Sequence, residues 1–117
     1  MKYYKQALAI FEKKLIKEHS FISTSYNNIA GVYSNLSENE NSLVYYKKSL
    51  EINKKILEED HSSLEIIYDN LSVIYSKLKD HPNAYKYAKK SFNIFLKNRD
   101  KNFAILDSKQ KLKYVKS

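Results

Sequence analysis

His19, His61 and His81 are the side chains of this chain best suited to hold a metal or to move a proton near neutral pH. A metal site needs its ligands to converge on one point. His19 and His61 instead recur 42 residues apart at the same place in a repeated pattern, and His81 stands in another turn. A stack of repeats spaces equivalent residues along its axis, so the periodicity itself argues against a shared site. There is no cysteine, which excludes thiolate ligands and disulfides and fits a reducing compartment. No paired acid and base, nucleophile motif or Gly-rich phosphate loop occurs. The sequence therefore predicts no enzyme, no catalytic residue, no cofactor and no metal.

The charged residues suggest a second kind of chemistry. The formal charge is +8, and all of it lies in the last quarter. Residues 1–85 balance eleven Lys against eleven Asp and Glu; residues 86–117 set nine Lys and Arg99 against Asp100 and Asp107. Lys86, Lys89, Lys90, Lys97, Arg99, Lys101, Lys109, Lys111, Lys113 and Lys116 could meet an acidic protein, RNA or a membrane surface. Lys dominates over Arg and no aromatic–basic recognition motif accompanies it, so a solvated face is the preferred reading and nucleic acid a poor partner.

These residues sit on a repeat. Residues 3–44 and 45–86 share fifteen identities in 42 aligned pairs without a gap, and a third copy begins at Tyr87. A fixed period of this length means a solenoid of stacked supersecondary units. Within one period Ile22, Tyr26, Ile29, Tyr33 and Leu36 step by helical spacing, as do Leu64, Tyr68, Leu71, Tyr75 and Leu78. A second stripe follows: Leu43, Tyr46, Leu50 and Leu57, widened by Ile52 and Ile56. With one Gly and one Pro, long helices are favoured. Ser37 with Glu40 and Ser62 with Glu65 have the capping-box form, and Pro82 suits a first helical turn. The spacing predicts five helices, at 2–17, 20–36, 38–58, 62–78 and 82–98, with residues 103–116 as a weaker sixth. Short connections make successive helices antiparallel neighbours. No apolar run is long enough to span a bilayer, and no signal-peptide pattern follows Met1, so a cytoplasmic location is expected.

The runs YNNIAGVYSNLSE (26–38) and YDNLSVIYSKLKD (68–80), each followed by YYKKSLEINKKILEEDH (45–61) or YAKKSFNIFLKN (87–98), resemble the tetratricopeptide repeat. The first helix-B run, YYKQALAIFEKKLIKEH, fills 3–19. More narrowly the pattern is similar to the 42-residue repeats of kinesin light chains. The resemblance covers residues 3–98 and implies an all-α, right-handed α-solenoid of antiparallel helix pairs. Its parts are a half repeat (1–18), two repeats (19–60 and 61–99) and a basic tail or capping helix (100–117). The small residues Ala30 and Ser72, Ser42 and Ala84, and Ala7, Ser49 and Ser91 match sites of close helix contact in that family. The family's Gly at the turn between helix A and helix B is absent.

The resemblance also implies function. Helix A would line a concave groove, and the family's peptide-holding Asn maps to Asn28 and Asn70. Helical spacing adds Thr24, Asn27, Gly31 and Asn35 from one repeat, and Ile66, Asp69, Val73 and Lys77 from the next. Helix 20–36 carries no charge, and the basic clamp for a terminal carboxylate is missing at Asn27, Gly31, Asp69 and Val73. The expected function is a protein–protein interaction module that holds an internal peptide segment, within a larger scaffold. The alternatives are anion-directed binding through the basic quarter and a purely structural spacer. Tyr3, Tyr45 and Tyr87 are expected to pack between repeats. Leu8, Ile10, Phe11 and Leu15 would lack a preceding helix, which predicts a fragment of a longer array or self-association at this end.

Overall fold

A computed structural model describes residues 2–115, with side chains over residues 6–101. It contains four helices: α1 (Lys2–Asn35), α2 (Asn39–Ile56), α3 (Ser62–Lys77) and α4 (His81–Val115). α2 packs back on α1 and α4 on α3, giving two hairpins that stack through α2 and α3. The apolar stripes of the sequence form the core: Ala30, Tyr46, Leu50, Leu64, Ile67, Tyr68, Leu71, Ile74, Tyr75 and Ile94.

Each hairpin is closed by the same polar device. Ser42 Oγ donates to the Ala30 carbonyl at 2.8 Å, and Ser72 Oγ to the Ala84 carbonyl at 2.8 Å. These are period-equivalent positions with serine and alanine exchanged, so either helix can supply the donor. Ser49 Oγ donates to the Ser23 carbonyl, and Ser91 Oγ to the Glu65 carbonyl, one period apart. The turns repeat as well. Ser37 and Lys79 adopt left-handed φ of 61° and 62°. Beside them Glu38 N donates to Tyr33 O and Asp80 N to Tyr75 O, both at 2.9 Å, the Schellman closure usually built on glycine.

Four expectations change. The predicted helices 2–17 and 20–36 are one helix, and the predicted tail helix continues α4. His19 and Ser20 repeat at His61 and Ser62, yet only the second pair breaks the chain. There Glu58, Glu59 and Asp60 crowd acid onto a helix C-terminus, which the helix dipole disfavours. Asn98 Nδ2 donates to the Asp60 carbonyl at 3.2 Å and Lys101 pairs with the Asp60 carboxylate, fixing the turn. One period earlier the corresponding residues are Ile16, Lys17 and Glu18, and the two anchors are replaced by Ile56 and Glu59. Neither can hold a turn at Glu18, and the helix runs straight.

The capping boxes do not form. Glu38, not Ser37, precedes α2 and makes no side-chain cap. His61, not Ser62, caps α3, its Nδ1 accepting from Ser63 N at 3.0 Å. Tyr45 and Tyr87 pack within their own hairpins: Tyr45 lies 5.9 and 5.5 Å from Tyr26 and Tyr33, and Tyr87 lies 5.9 and 5.6 Å from Tyr68 and Tyr75. The Tyr3 side chain lies outside the described residues.

The Cα radius of gyration is 18.9 Å, against about 13 Å for a compact chain of this length. The excess comes from the ends of α1 and α4, which run past the shorter helices they pair with. Leu8, Ile10, Phe11 and Leu15 on the α1 extension are exposed.

Candidate functional site

α1 and α3 stand side by side with α2 behind them, and a hollow of about 120 Å³ opens where the three meet. Its walls are Thr24 and Asn27 from α1, and Ser63, Ile66 and Ile67 from α3; its floor is Ser23, Ser49 and Asn53. The floor is a closed hydrogen-bond cluster. Ser23 Oγ donates to Asn53 Oδ1 at 2.6 Å, Ser49 Oγ donates to the Ser23 carbonyl at 3.0 Å, and the two hydroxyls lie 2.8 Å apart. Asn27 Oδ1 is buried and has no hydrogen-bond partner among the described residues. A second, larger hollow follows one hairpin on, lined by Glu65, Ile66, Asp69, Ala88, Ser91, Phe92 and Phe95.

The positions chosen from sequence divide between these hollows and the open helix faces. Thr24, Asn27 and Ile66 meet in the first hollow, and Ile66 and Asp69 line the second. Asn28, Asn35, Val73 and Lys77 are exposed, and Gly31 and Asn70 half-buried; none of these six lines either hollow. Lys77 Nζ instead reaches Ser34 Oγ on α1 at 3.4 Å. No close approach requires Gly31: a Cβ there would meet Tyr46 Oη at an ordinary 3.9 Å. The floor residues Ser23, Ser49 and Asn53, and the aromatic pair Phe92 and Phe95, were not among the sequence candidates. The recurrence of Ser49 and Ser91 marked a tight helix contact, but not that the contact underlies a groove.

Lys90 lies 5.5 and 6.0 Å over the rings of Tyr68 and Tyr87, and Lys48 covers Tyr26 and Tyr45 in the same way. Lys86 caps Tyr87, and Lys101 is paired with Asp60, whose carboxyl it holds below the ordinary carboxylate value. Much of the described basic charge is thus engaged in packing, while Lys89, Lys97 and Arg99 face solvent. The side chains of Lys109, Lys111, Lys113 and Lys116 lie outside the described residues.

The family model of the tetratricopeptide repeat matches residues 21–97, from within α1 to within α4. The chain belongs to the tetratricopeptide repeat family. No curated protein matches it. Tetratricopeptide repeats mediate protein–protein interaction and are a non-catalytic module. No helix among the described residues is long and apolar enough to cross a membrane.

Proposed function

We propose that the concave face of this tetratricopeptide array holds an extended internal segment of a protein partner. The observation that carries the reading is Asn27, whose buried, unpaired Oδ1 flanks the hollow between Thr24 and Ile66. An unpaired buried acceptor costs about 1–3 kcal/mol, and a turn of the Asn27 side chain into the hollow would let a peptide N–H relieve it. The two hollows share Ile66, so one segment crossing both would set a small side chain over Ser23 and Ser49 and a larger apolar one against Phe92 and Phe95. Glu65 and Asp69 at the second hollow favour a neutral or basic segment over an acidic one. Asn28 and Asn70 belong to the same reading as contacts to the peptide main chain from the open helix faces.

Selection of displayed random peptides against the full chain supplies ligands for calorimetry. Ile66→Arg and Asn27→Ala should each weaken the selected peptides at least tenfold without loss of helicity. Asn28→Ala and Asn70→Ala should weaken them by a smaller factor. Peptides that bind Ile66→Arg as tightly as the parent chain would remove the groove from the reading. Binding that collapses between low and moderate salt would transfer it to the basic quarter.

A further inference from the structure

Period-equivalent residues of α3 and α1 have the same character and opposite exposure. Leu64, Leu71 and Ile74 are 2%, 0% and 1% exposed; Ile22, Ile29 and Val32, one period earlier, are 43%, 40% and 59% exposed. α3 has α2 in front of it: Asn53 of α2 lines one hollow with Ile67 of α3, and Leu57 lines another with Leu64. The helix sequence that should cover α1 is present in the chain: residues 3–15 repeat residues 45–57, with Leu8, Phe11 and Leu15 in the places of Leu50, Asn53 and Leu57. Because α1 runs straight through residues 16–20, this segment points away from the face it is built to cover.

We infer that α1 pairs antiparallel with α1 of a second copy, each chain's residues 3–15 covering the other's Ile22, Ile29 and Val32. This is exchange of an identical element, with the straightened turn as its hinge. The register follows from the α2–α3 junction. Lys47 Nζ sits 5.6 Å over the Tyr75 ring, and Leu57 and Leu64 share one hollow. Moved back one period, residue 5 faces residue 33 of the second copy and residue 15 faces residue 22. Both pairings place the two-fold axis beside Glu18, so the interface closes on itself as an isologous dimer.

The straight helix suits this pairing. The period of 42 residues is six heptads, so the stripe of residues 3–15 stays in phase with that of residues 20–36. Leu8, Phe11, Leu15, Glu18, Ile22, Ser25, Ile29 and Val32 form one line at alternating steps of three and four, interrupted by a single charge. The open stripe of α4 begins alike, with Phe92 and Phe95, but the same register then meets Arg99, Asn102, Lys109 and Lys113, with Leu106 the one apolar residue among them. Pairing through α4 is therefore disfavoured. In the dimer residues 7 and 11 of the second copy would stand behind Thr24 as Ser49 and Asn53 stand behind Ile66, and the groove would continue across the axis.

Sedimentation of the full chain from 1 to 200 µM, without peptide, tests this independently of groove binding. A dimer is expected at the upper end. Phe11→Glu and Ile22→Glu, both at exposed positions, should raise the dissociation constant at least tenfold with unchanged circular dichroism, and Phe95→Glu should not. In the cysteine-free chain Glu18→Cys should crosslink to its copy with a short bismaleimide. Gln6→Cys should not, because about 25 residues of antiparallel offset separate those sites by about 37 Å. A monomer throughout, loss of the dimer only in Phe95→Glu, or equal crosslinking at positions 6 and 18 would overturn the inference.

Discussion

Glycine at the two left-handed turn positions should stabilise the fold, and the size of the gain follows from the geometry. Ser37 and Lys79 hold φ of 61° and 62°, where an L side chain crowds the following carbonyl. That conformation costs about 1–2 kcal/mol for a residue with a Cβ. Glycine removes the crowding but gives back roughly 0.5–1 kcal/mol through the greater freedom of its unfolded chain. Both side chains are exposed, so nothing else is lost. The net gain is about 1 kcal/mol for Ser37→Gly and about the same for Lys79→Gly. The sites are a full repeat apart and should add. For a chain of this size each kcal/mol is worth about 4 °C in Tm, so the double variant should melt about 8 °C higher. Urea unfolding followed at 222 nm provides ΔG directly. Ser76→Gly, one turn earlier and inside α3, serves as the control and should lose about 0.5 kcal/mol. Double-variant stability equal to or below that of the parent would refute the turn geometry and the strain assigned to it.

Gly31→Ala should add about 1 kcal/mol in the same assay, since the added methyl meets only Tyr46 Oη at 3.9 Å. Leu71→Ala, at a wholly buried junction residue, should cost about 2–5 kcal/mol, against about half that or less for the period-equivalent Ile29→Ala measured below 1 µM, where any dimer has dissociated. Ser49→Ala should cost about 1–3 kcal/mol by leaving the Ser23 carbonyl and hydroxyl short of a partner beneath the hollow. Lys101 lowers the carboxyl pKa of Asp60 by hydrogen bond and charge, so the pair's contribution is present above the ordinary carboxylate range and disappears as pH falls through the depressed value. Lys101→Met should flatten the acid limb of a pH–stability curve, and in the parent chain added salt should flatten it too, because Lys101 is exposed and Asp60 only half-buried.

The hairpins were legible because their packing signal is local and repeated. Ala30 with Ser42, and Ser72 with Ala84, announce a close helix crossing by size alone, and the structure closes both with a 2.8 Å hydrogen bond. The straight run of α1 was not legible from His19 and Ser20. What makes the matching turn at Asp60 is supplied from α4, by Asn98 and Lys101. A repeated sequence with unrepeated tertiary anchors folds differently in each copy. The hollows were half legible. Helical spacing reached the α1 and α3 walls of the two hollows at Thr24, Asn27, Ile66 and Asp69, but the floor beside Ser23 is completed by helix B, and Ser49 and Asn53 enter it only once α2 is packed. Asn28 and Asn70, matched by motif, sit on the open faces rather than in the hollows.

The two kinds of helix contact in this chain differ in how tightly they specify a partner. Within a hairpin, serine hydroxyls reach carbonyls and tyrosines stack at fixed angles, with Tyr87 and Tyr75 only 1° from parallel. Such contacts are directional and bind one helix to its sequence neighbour. Between hairpins, α2 and α3 share the apolar core, with Leu57 and Leu64 lining one hollow, Lys47 over the Tyr75 ring and the Ser23, Ser49 and Asn53 cluster at the edge. Apolar burial is non-directional and proportional to area, so it accepts any helix with a matching stripe. The α1 extension carries such a stripe, and the directional contacts of α1 with α2 leave its other face uncovered. An array with hairpins closed by polar bonds and junctions closed by apolar area can exchange its junctions without disturbing its hairpins. Loss of one turn at Glu18 is then enough to move a junction from within a chain to between two.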